Sequence, residues 1–225
     1  MNTEVIIAVD FHNHSEFSCD GQNSLNDFLN VSEIDVFAVT DHNNMDFHKK
    51  YSPGNSLYML NNKWFIAGEE IMTSDAGEVI GLFLVEEIPA GMTFQETIRA
   101  IKEQGGIVYL PHPFDFYRKG RPNLQVVKKC IEQIDIVEVF NAKYLTPLEV
   151  KLSYSFAKKY SKTFAFGSDA HKPEDLARGY MVLKVPSKNL TKDLIIKTLT
   201  VRENIVDVVQ KRKSFLKRLV RSLGR

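Results

Sequence analysis

Five short apolar runs in this chain end in histidine or carboxylate, and that recurrence limits the folds open to it more than any other feature. Val5–Val9 leads to His12-Asn13-His14, Val36–Thr40 to Asp41-His42, and Trp64–Ile71 carries Glu69-Glu70 near its end. Ile107–Leu110 leads through Pro111 to His112, and Thr163–Phe166 to Asp169 and His171. The runs are β-branched and apolar, the composition of buried strands. In an extended segment residues i and i+2 share a face, so His12 and His14 can point at one ion. Asp20, beside the turn-permitting Gly21, adds a carboxylate. Five of the six histidines, His12, His14, His42, His112 and His171, occupy such strand-end positions. Scattered structural histidines account poorly for that placement, and a metal site accounts for it directly.

Helical patterns and Gly/Pro/Asn punctuation separate the runs, the signature of an α/β fold with mostly parallel strands. Thr93 with Glu96 has capping-box spacing, and Thr146-Pro147-Leu148-Glu149 opens another helix with proline at its first position. Val79–Val85, Ile136–Phe140 and Tyr180–Val185 are further strand candidates. About seven strand–helix units closing on one core predict a small or distorted TIM-type barrel, in which the carboxyl ends of the strands share one rim. A chain of 225 residues with 44% hydrophobic content sustains one such core. Its two cysteines, Cys19 and Cys130, form no framework spacing, so a reducing, cytoplasmic setting is expected. The first apolar run is too short for a secretory signal and no stretch approaches membrane-spanning length, so the protein is expected to be soluble.

The four ordered motifs His12-Asn13-His14, Thr40-Asp41-His42, Pro111-His112-Pro113 and Gly167-Ser168-Asp169-Ala170-His171 resemble those of the PHP superfamily, named for polymerase and histidinol phosphatase domains. The resemblance runs to about Leu183. It implies a distorted (β/α)7 barrel holding two to three divalent ions, usually for phosphoester hydrolysis. It further implies that His12, His14, Glu70 and Asp169 surround one ion, and that Glu70 bridges to a second, which also meets His112. Asp20, His42 and His171 would hold the third. Glu70 is preferred to Glu69 because Gly68-Glu69-Glu70-Ile71 resembles the family's Gly-x-Glu-Ile. Where many members have a histidine opening a His-Ile-x-Gly strand, this chain has Glu78 in Glu78-Val79-Ile80-Gly81. A carboxylate ligates the same ions, so Glu78 is the expected ninth ligand; the alternative is an exposed charge. The change makes Mn or Fe more competitive with Zn and leaves the metal identity open.

Clustered divalent ions produce hydroxide from bound water at neutral pH, neutralise phosphoryl oxygens and stabilise the departing alkoxide. No nucleophile-elbow serine, P-loop lysine or reactive cysteine competes with that chemistry. Asp169 and His171, with Lys143 and Arg178 as phosphate-positioning cations, form the expected catalytic set. Arg118, Lys119 and Arg121 read as a solvated basic turn. His48 reads as a surface residue, and Asp41 as a group that orients a neighbouring ligand or its loop.

Residues 1–200 are expected to form the barrel and 201–225 a basic amphipathic helix. From Asn204 to Leu223 apolar residues recur at helical spacing among lysines and arginines. The helix would dock on the barrel, with an anionic membrane surface, or as the weaker choice nucleic acid, as the alternative partner. The expected activity is hydrolysis of a small phosphorylated substrate; a nuclease and a non-catalytic regulatory module are the alternatives. After Asp207 there are seven Lys/Arg and no acid, so residues 1–207 hold 22 of the 29 basic and all 28 acidic side chains, and nucleic acid is expected to be an unlikely partner. Nothing in the sequence fixes the oligomeric state.

Overall fold

Strand β1 (Val5–Asn13) pairs along one edge with β2 (Val36–His42), in parallel. Its other edge is divided. In the computed structural model, which describes residues 4–212, Val5–Val9 pair antiparallel with a late strand, Gly179–Val185. Beyond them the same strand meets the segment that follows Thr163–Gly167: the amide of Asp169 donates to His12 O at 2.7 Å and that of His14 to Ala170 O at 2.9 Å. The first half of β1 thus extends the sheet, and the second half nearly closes it into a barrel.

The remaining strands are β3 (Leu57–Leu60), β4 (Lys63–Thr73), β5 (Gly77–Leu82), β6 (Ile107–Leu110), β7 (Ile136–Asn141), β8 (Thr163–Gly167), β9 (Gly179–Val185) and β10 (Ile205–Gln210). They form one ten-stranded sheet in the order β10-β9-β1-β2-β4-β5-β6-β7-β8, with β3 paired to β4. Helices α1 (Leu25–Asn30), α2 (Asp46–Tyr51), α3 (Phe94–Glu103), α4 (Leu124–Lys129), α5 (Pro147–Lys159) and α6 (Lys192–Thr200) complete the α/β fold. The predicted capping box, Thr93 with Glu96, opens α3; the predicted start of α5 at Thr146-Pro147 is present too, and there Thr146 and Glu149 form a second box.

The expected (β/α)7 arrangement needs correction. Among the described residues the sheet has ten strands, and β5 runs antiparallel to both β4 and β6. Residues 74–76 join β4 to β5 as a hairpin, too short for a helical crossover. The reversal carries Glu78, at the beginning of β5, to the rim where the parallel strands end.

The predicted C-terminal helix also fails over its first part. Ile205-Val206-Asp207-Val208-Val209 is β10, paired antiparallel with β9. Its β-branched side chains favour the pleated conformation, and an open sheet edge beside them decides against the helical spacing. The expected positions from 213 onward, and with them the membrane-binding helix, lie outside the described residues. Among the described residues no helix is long and apolar enough to cross a membrane.

Apolar side chains fill the space outside the ring, where Phe28, Phe37, Phe47 and Phe65 pack edge-on or stacked. His48 belongs to this layer and is buried, not on the surface as expected. Its Nδ1 lies 2.8 Å from Tyr58 Oη and its Nε2 2.8 Å from Val39 O. Inside the ring β1, β4 and β7 present polar side chains, among them His12, Glu70 and Glu138. Asp10, His12 and His14 of β1 and its extension face inward, while Phe11 packs outward.

Candidate metal centre

His12 and His14 leave β1 on its inward face, as their spacing requires. Their Nε2 atoms lie 3.1 Å apart, and each is 3.3 Å from Glu70 Oε2. Asp169 Oδ1 completes this group at 3.4 Å from His14 and 3.8 Å from His12. Glu70 is the hub. Its Oε2 also lies 3.3 Å from His42 Nδ1, and its Oε1 lies 2.8 Å from His112 Nε2. Strand alternation selects Glu70 over Glu69, whose carboxylate turns to the outer layer and accepts the Ile88 amide at 2.9 Å.

Glu78 lies 3.5 Å from His112 Nε2 and 3.8 Å from His42 Nδ1, within ligand reach of the Glu70 hub. On the more open side, Asp20 lies 3.1 Å from His171 and 3.7 Å from His42. The ligand atoms fall into groups whose members lie within 4.8 Å of one another, among them His12/His14/Glu70, His42/Glu70/Glu78 and His14/Asp20/His42/His171. All nine expected ligands are thereby gathered on one rim.

Two of them hold strained backbone. His112 has φ 28° and Asp169 φ 48°, left-handed conformations that cost a side-chain-bearing residue on the order of 1–3 kcal/mol each. Each residue follows a strand end and turns its side chain inward.

Glu138, in the middle of β7, was not singled out by sequence reasoning. Its Oε1 lies 3.0 Å from His12 Nδ1 and accepts from Tyr109 Oη at 3.0 Å; its Oε2 accepts the His112 amide at 2.6 Å and Asn141 Nδ2 at 3.0 Å. With both oxygens engaged, Glu138 orients ligands instead of joining them. A lone acid inside Ile136-Val137-Glu138-Val139-Phe140 was the available signal, since a carboxylate at the centre of a buried strand must be paired. Asp41 fixes the loop after β1, accepting the Ser15 amide at 2.6 Å and its hydroxyl at 2.5 Å.

The donor set fits divalent cations. A carboxylate can only accept, so in the neutral ring Glu138 places the His12 proton on Nδ1 and leaves Nε2, where a proton and a metal cation compete, to face His14 Nε2 and Glu70 Oε2. Three such atoms converging in a buried space favour a cation between them. The same field acts on protons. Burial alone would depress His12, yet Glu70, Asp169 and Glu138 raise its pKa well above 6.5; burial with His171 and His42 drives His14 down to about 3. Burial and the neighbouring Glu70 raise Glu78 to about 8, and its Oε2 has no hydrogen-bond partner. An all-nitrogen and oxygen set suits Zn, Mn or Fe.

Of the expected cations, Lys143 lies in the site, with Nζ 2.9 Å from Asp169 Oδ1 and 2.8 Å from His171 Nδ1. Arg178 does not. Its Nε donates to Glu174 O at 3.0 Å and lies 3.5 Å from Asp175, so it braces the turn after His171. Arg118 reverses the expectation of a solvated turn: its side chain is 15% exposed and its Nη2 hydrogen-bonds Asp169 Oδ2.

A near-closed α/β barrel with histidines and carboxylates clustered on its rim is the architecture of metal-dependent phosphoesterases and nucleases. The chain belongs to the PHP superfamily. It is 35% identical over 181 residues to an uncharacterized protein of Methanocaldococcus jannaschii, the match covering 78% of this chain and 70% of that one. A family model described as PHP-associated matches residues 147–203. Among solved structures, a two-domain protein from Bacteroides vulgatus containing a predicted PHP-like metal-dependent phosphoesterase superposes with TM-score 0.66 at 19% identity, over 88% of this chain and 63% of that one. Endonuclease Q, in complex with a 27-mer duplex bearing an abasic lesion, superposes with TM-score 0.67 at 16% identity, over 91% of this chain and 58% of that one. This chain therefore spans less than two thirds of each of those two solved chains, and at such identities the likeness is one of fold.

The endonuclease Q complex overturns the expectation that nucleic acid is an unlikely partner, because a chain of this fold is seen holding a duplex. Net charge averages over the whole surface, whereas a phosphate meets the few cations beside it. Lys143 and Arg118 stand at this rim although acidic side chains outnumber basic ones over residues 1–207.

Proposed function

We propose that this protein is a metal-dependent phosphoester hydrolase. The observation that carries the reading is the convergence of His12, His14, Glu70 and Asp169 beside Lys143. When bound, divalent ions would lower the pKa of a coordinated water and neutralise phosphoryl oxygens. Glu70 directs one oxygen to His12, His14 and His42 and the other to His112, so it is the carboxylate that two ions would share. Glu78, His42 and His112 would complete one side, and Asp20, His42 and His171 the open side. Lys143 lies where an ammonium can donate to a phosphoryl oxygen while Asp169 holds it in place. Asp169 takes charge without protonation, since Arg118, Lys143 and His12 outweigh its burial and hold its pKa well below the usual carboxylate range.

Water is the nucleophile that this arrangement favours. The Ser15 hydroxyl is committed to Asp41, and burial with the neighbouring Asp20 pushes the Cys19 thiol pKa up, away from thiolate. The first substrate reading is a small phosphorylated molecule. A second, a nucleic-acid phosphodiester, draws support from the likeness to endonuclease Q. Protein reconstituted separately with Mn, Zn and Fe should be assayed against sugar phosphates, nucleotides, and single- and double-stranded oligonucleotides. Chelator-sensitive hydrolysis of one class is expected. A metal-loaded protein that hydrolyses none of them would refute the reading.

A further inference from the structure

We propose that Arg118 is a phosphoryl-binding residue of this site, delivered to it by a strap that the chain lays over the start of β5. The proposal rests on the phosphoester reading above. The strap runs from His112 to Asn123 and is built from successive turns: Asp115 N to His112 O at 3.1 Å, Arg118 N to Asp115 O at 3.3 Å, and Arg121 N to Arg118 O at 3.4 Å. Two backbone bonds fasten it to the β4–β5 hairpin, Glu78 N to Gly120 O at 2.9 Å and Asn123 N to Ala76 O at 2.7 Å. The contact is close enough to need glycine on both sides. A Cβ on Gly120 would stand 2.4–2.6 Å from the Glu78 carboxyl group, and one on Gly77, at φ +78°, would stand 2.6 Å from Gly120 O.

That fastening brings the guanidinium between two acidic ligands. Nη2 hydrogen-bonds Asp169 Oδ2, Nη1 lies 3.7 Å from Glu78 Oε2, and Nε lies 3.7 Å from Asp115 Oδ2. At 3.7 Å the last two are charge contacts and not hydrogen bonds, so most of the five N–H donors remain available. Arg118 also binds the oxygen of Asp169 that faces away from the histidines. Oδ1 is the one near His12, His14, His171 and Lys143, while Oδ2 takes Arg118 and Asn141. Arg118 and Lys143 thus hold different oxygens of one carboxylate: Arg118 takes Oδ2, while Lys143 shares with the histidines the Oδ1 that faces the site. A largely buried, held, incompletely bonded guanidinium beside a cluster of candidate metal ligands is suited to a phosphoryl group, whose oxygens match its fork. A purely structural brace would spend its donors on the protein.

The test compares wild type, Arg118→Ala and Arg118→Lys, each loaded with the same metal. Metal stoichiometry is measured by elemental analysis and inorganic phosphate affinity by calorimetry, with melting curves as a folding control. Arg118→Ala should keep its metal and bind phosphate about 10- to 100-fold more weakly, the scale of a hydrogen bond to a charged group, with Arg118→Lys in between. With a hydrolysed substrate, KM should rise correspondingly. Unchanged phosphate affinity in Arg118→Ala, or loss of bound metal in both variants, would overturn the proposal and make Arg118 a brace for Asp169 and Glu78. Wild type that binds metal but neither binds phosphate nor hydrolyses any phosphoester would overturn the functional reading together with this one.

Discussion

Glu138 Oε1 lies 3.0 Å from His12 Nδ1, on the opposite side of the ring from the nitrogen that faces Glu70. One buried carboxylate therefore sets the tautomer and the aim of the first ligand, and it also receives the His112 amide. Glu138→Gln keeps the shape but places an amide where only an acceptor serves all four donors. Metal affinity, measured by competition with a chelator, should fall about 10- to 100-fold, the usual scale for losing such a partner of a metal-ligating histidine. Unchanged affinity would mean that His12 holds its orientation from β1 alone.

Lys143 and Arg178 follow neighbouring strands and carry the same charge, yet only Lys143 reaches the ligands. Lys143→Met should lower kcat/KM about 100-fold or more, because a charge-assisted contact to the phosphoryl group is lost. Arg178→Ala should change it by less than about threefold, in keeping with its distance from the chemistry. Equal losses in steady-state kinetics would contradict the division of roles.

His48 gives the protein a defined sensitivity to acid. Burial lowers its pKa from 6.5 to about 4, so the folded protein keeps the ring neutral where the unfolded chain would take a proton. The unfolded state then binds more protons between those values, and stability is lost as pH falls from about 6.5 toward 4. The size of the term is on the order of 3 kcal/mol for a fully buried ring. His48→Gln should melt lower at neutral pH, having lost packing, but its melting temperature should fall less between pH 6.5 and 4. Parallel wild-type and variant curves across that interval would show that the ring does not titrate there.

The ends of the parallel strands were legible because each is a local pattern, an apolar β-branched run followed by His or Asp. Three features were not local. Glu78 was read from its motif as a strand opener, but its rim position depends on β5 running backwards, which only the short hairpin to β4 reveals. Ile205–Gln210 carries spacing that suits a helix and residues that suit a strand, and the free edge of β9 decides between them. Arg118 sits in Tyr117-Arg118-Lys119-Gly120-Arg121, which reads as a solvated turn. Its inward course is set by the bonds from Glu78 and Asn123, contacts between segments some 40 residues apart.

The seat of Glu78 beneath the strap makes a prediction that does not require changing a charge. A methyl on Gly120 would fall 2.4–2.6 Å from the Glu78 carboxyl atoms, so either the strap lifts or the carboxylate moves. Both displacements act on the same place, since Glu78 faces His112 and His42 and the strap carries Arg118. Gly120→Ala should therefore cost about 1–3 kcal/mol of stability, the usual penalty for overpacking a close contact. It should also weaken one bound ion selectively, by metal titration, while the ion group around His12 and His14 is retained. Glu78→Gln should weaken the same ion with little loss of fold, because the amide fills the same space and removes only the charge. Gly54→Ala is the control for glycine replacement, since Gly54 has φ +74° and nothing within 4 Å of its added methyl, so it pays backbone strain alone and should leave metal binding intact. If Gly120→Ala and Glu78→Gln both retain every ion at wild-type affinity, Glu78 is a buried anchor for the strap and not a ligand.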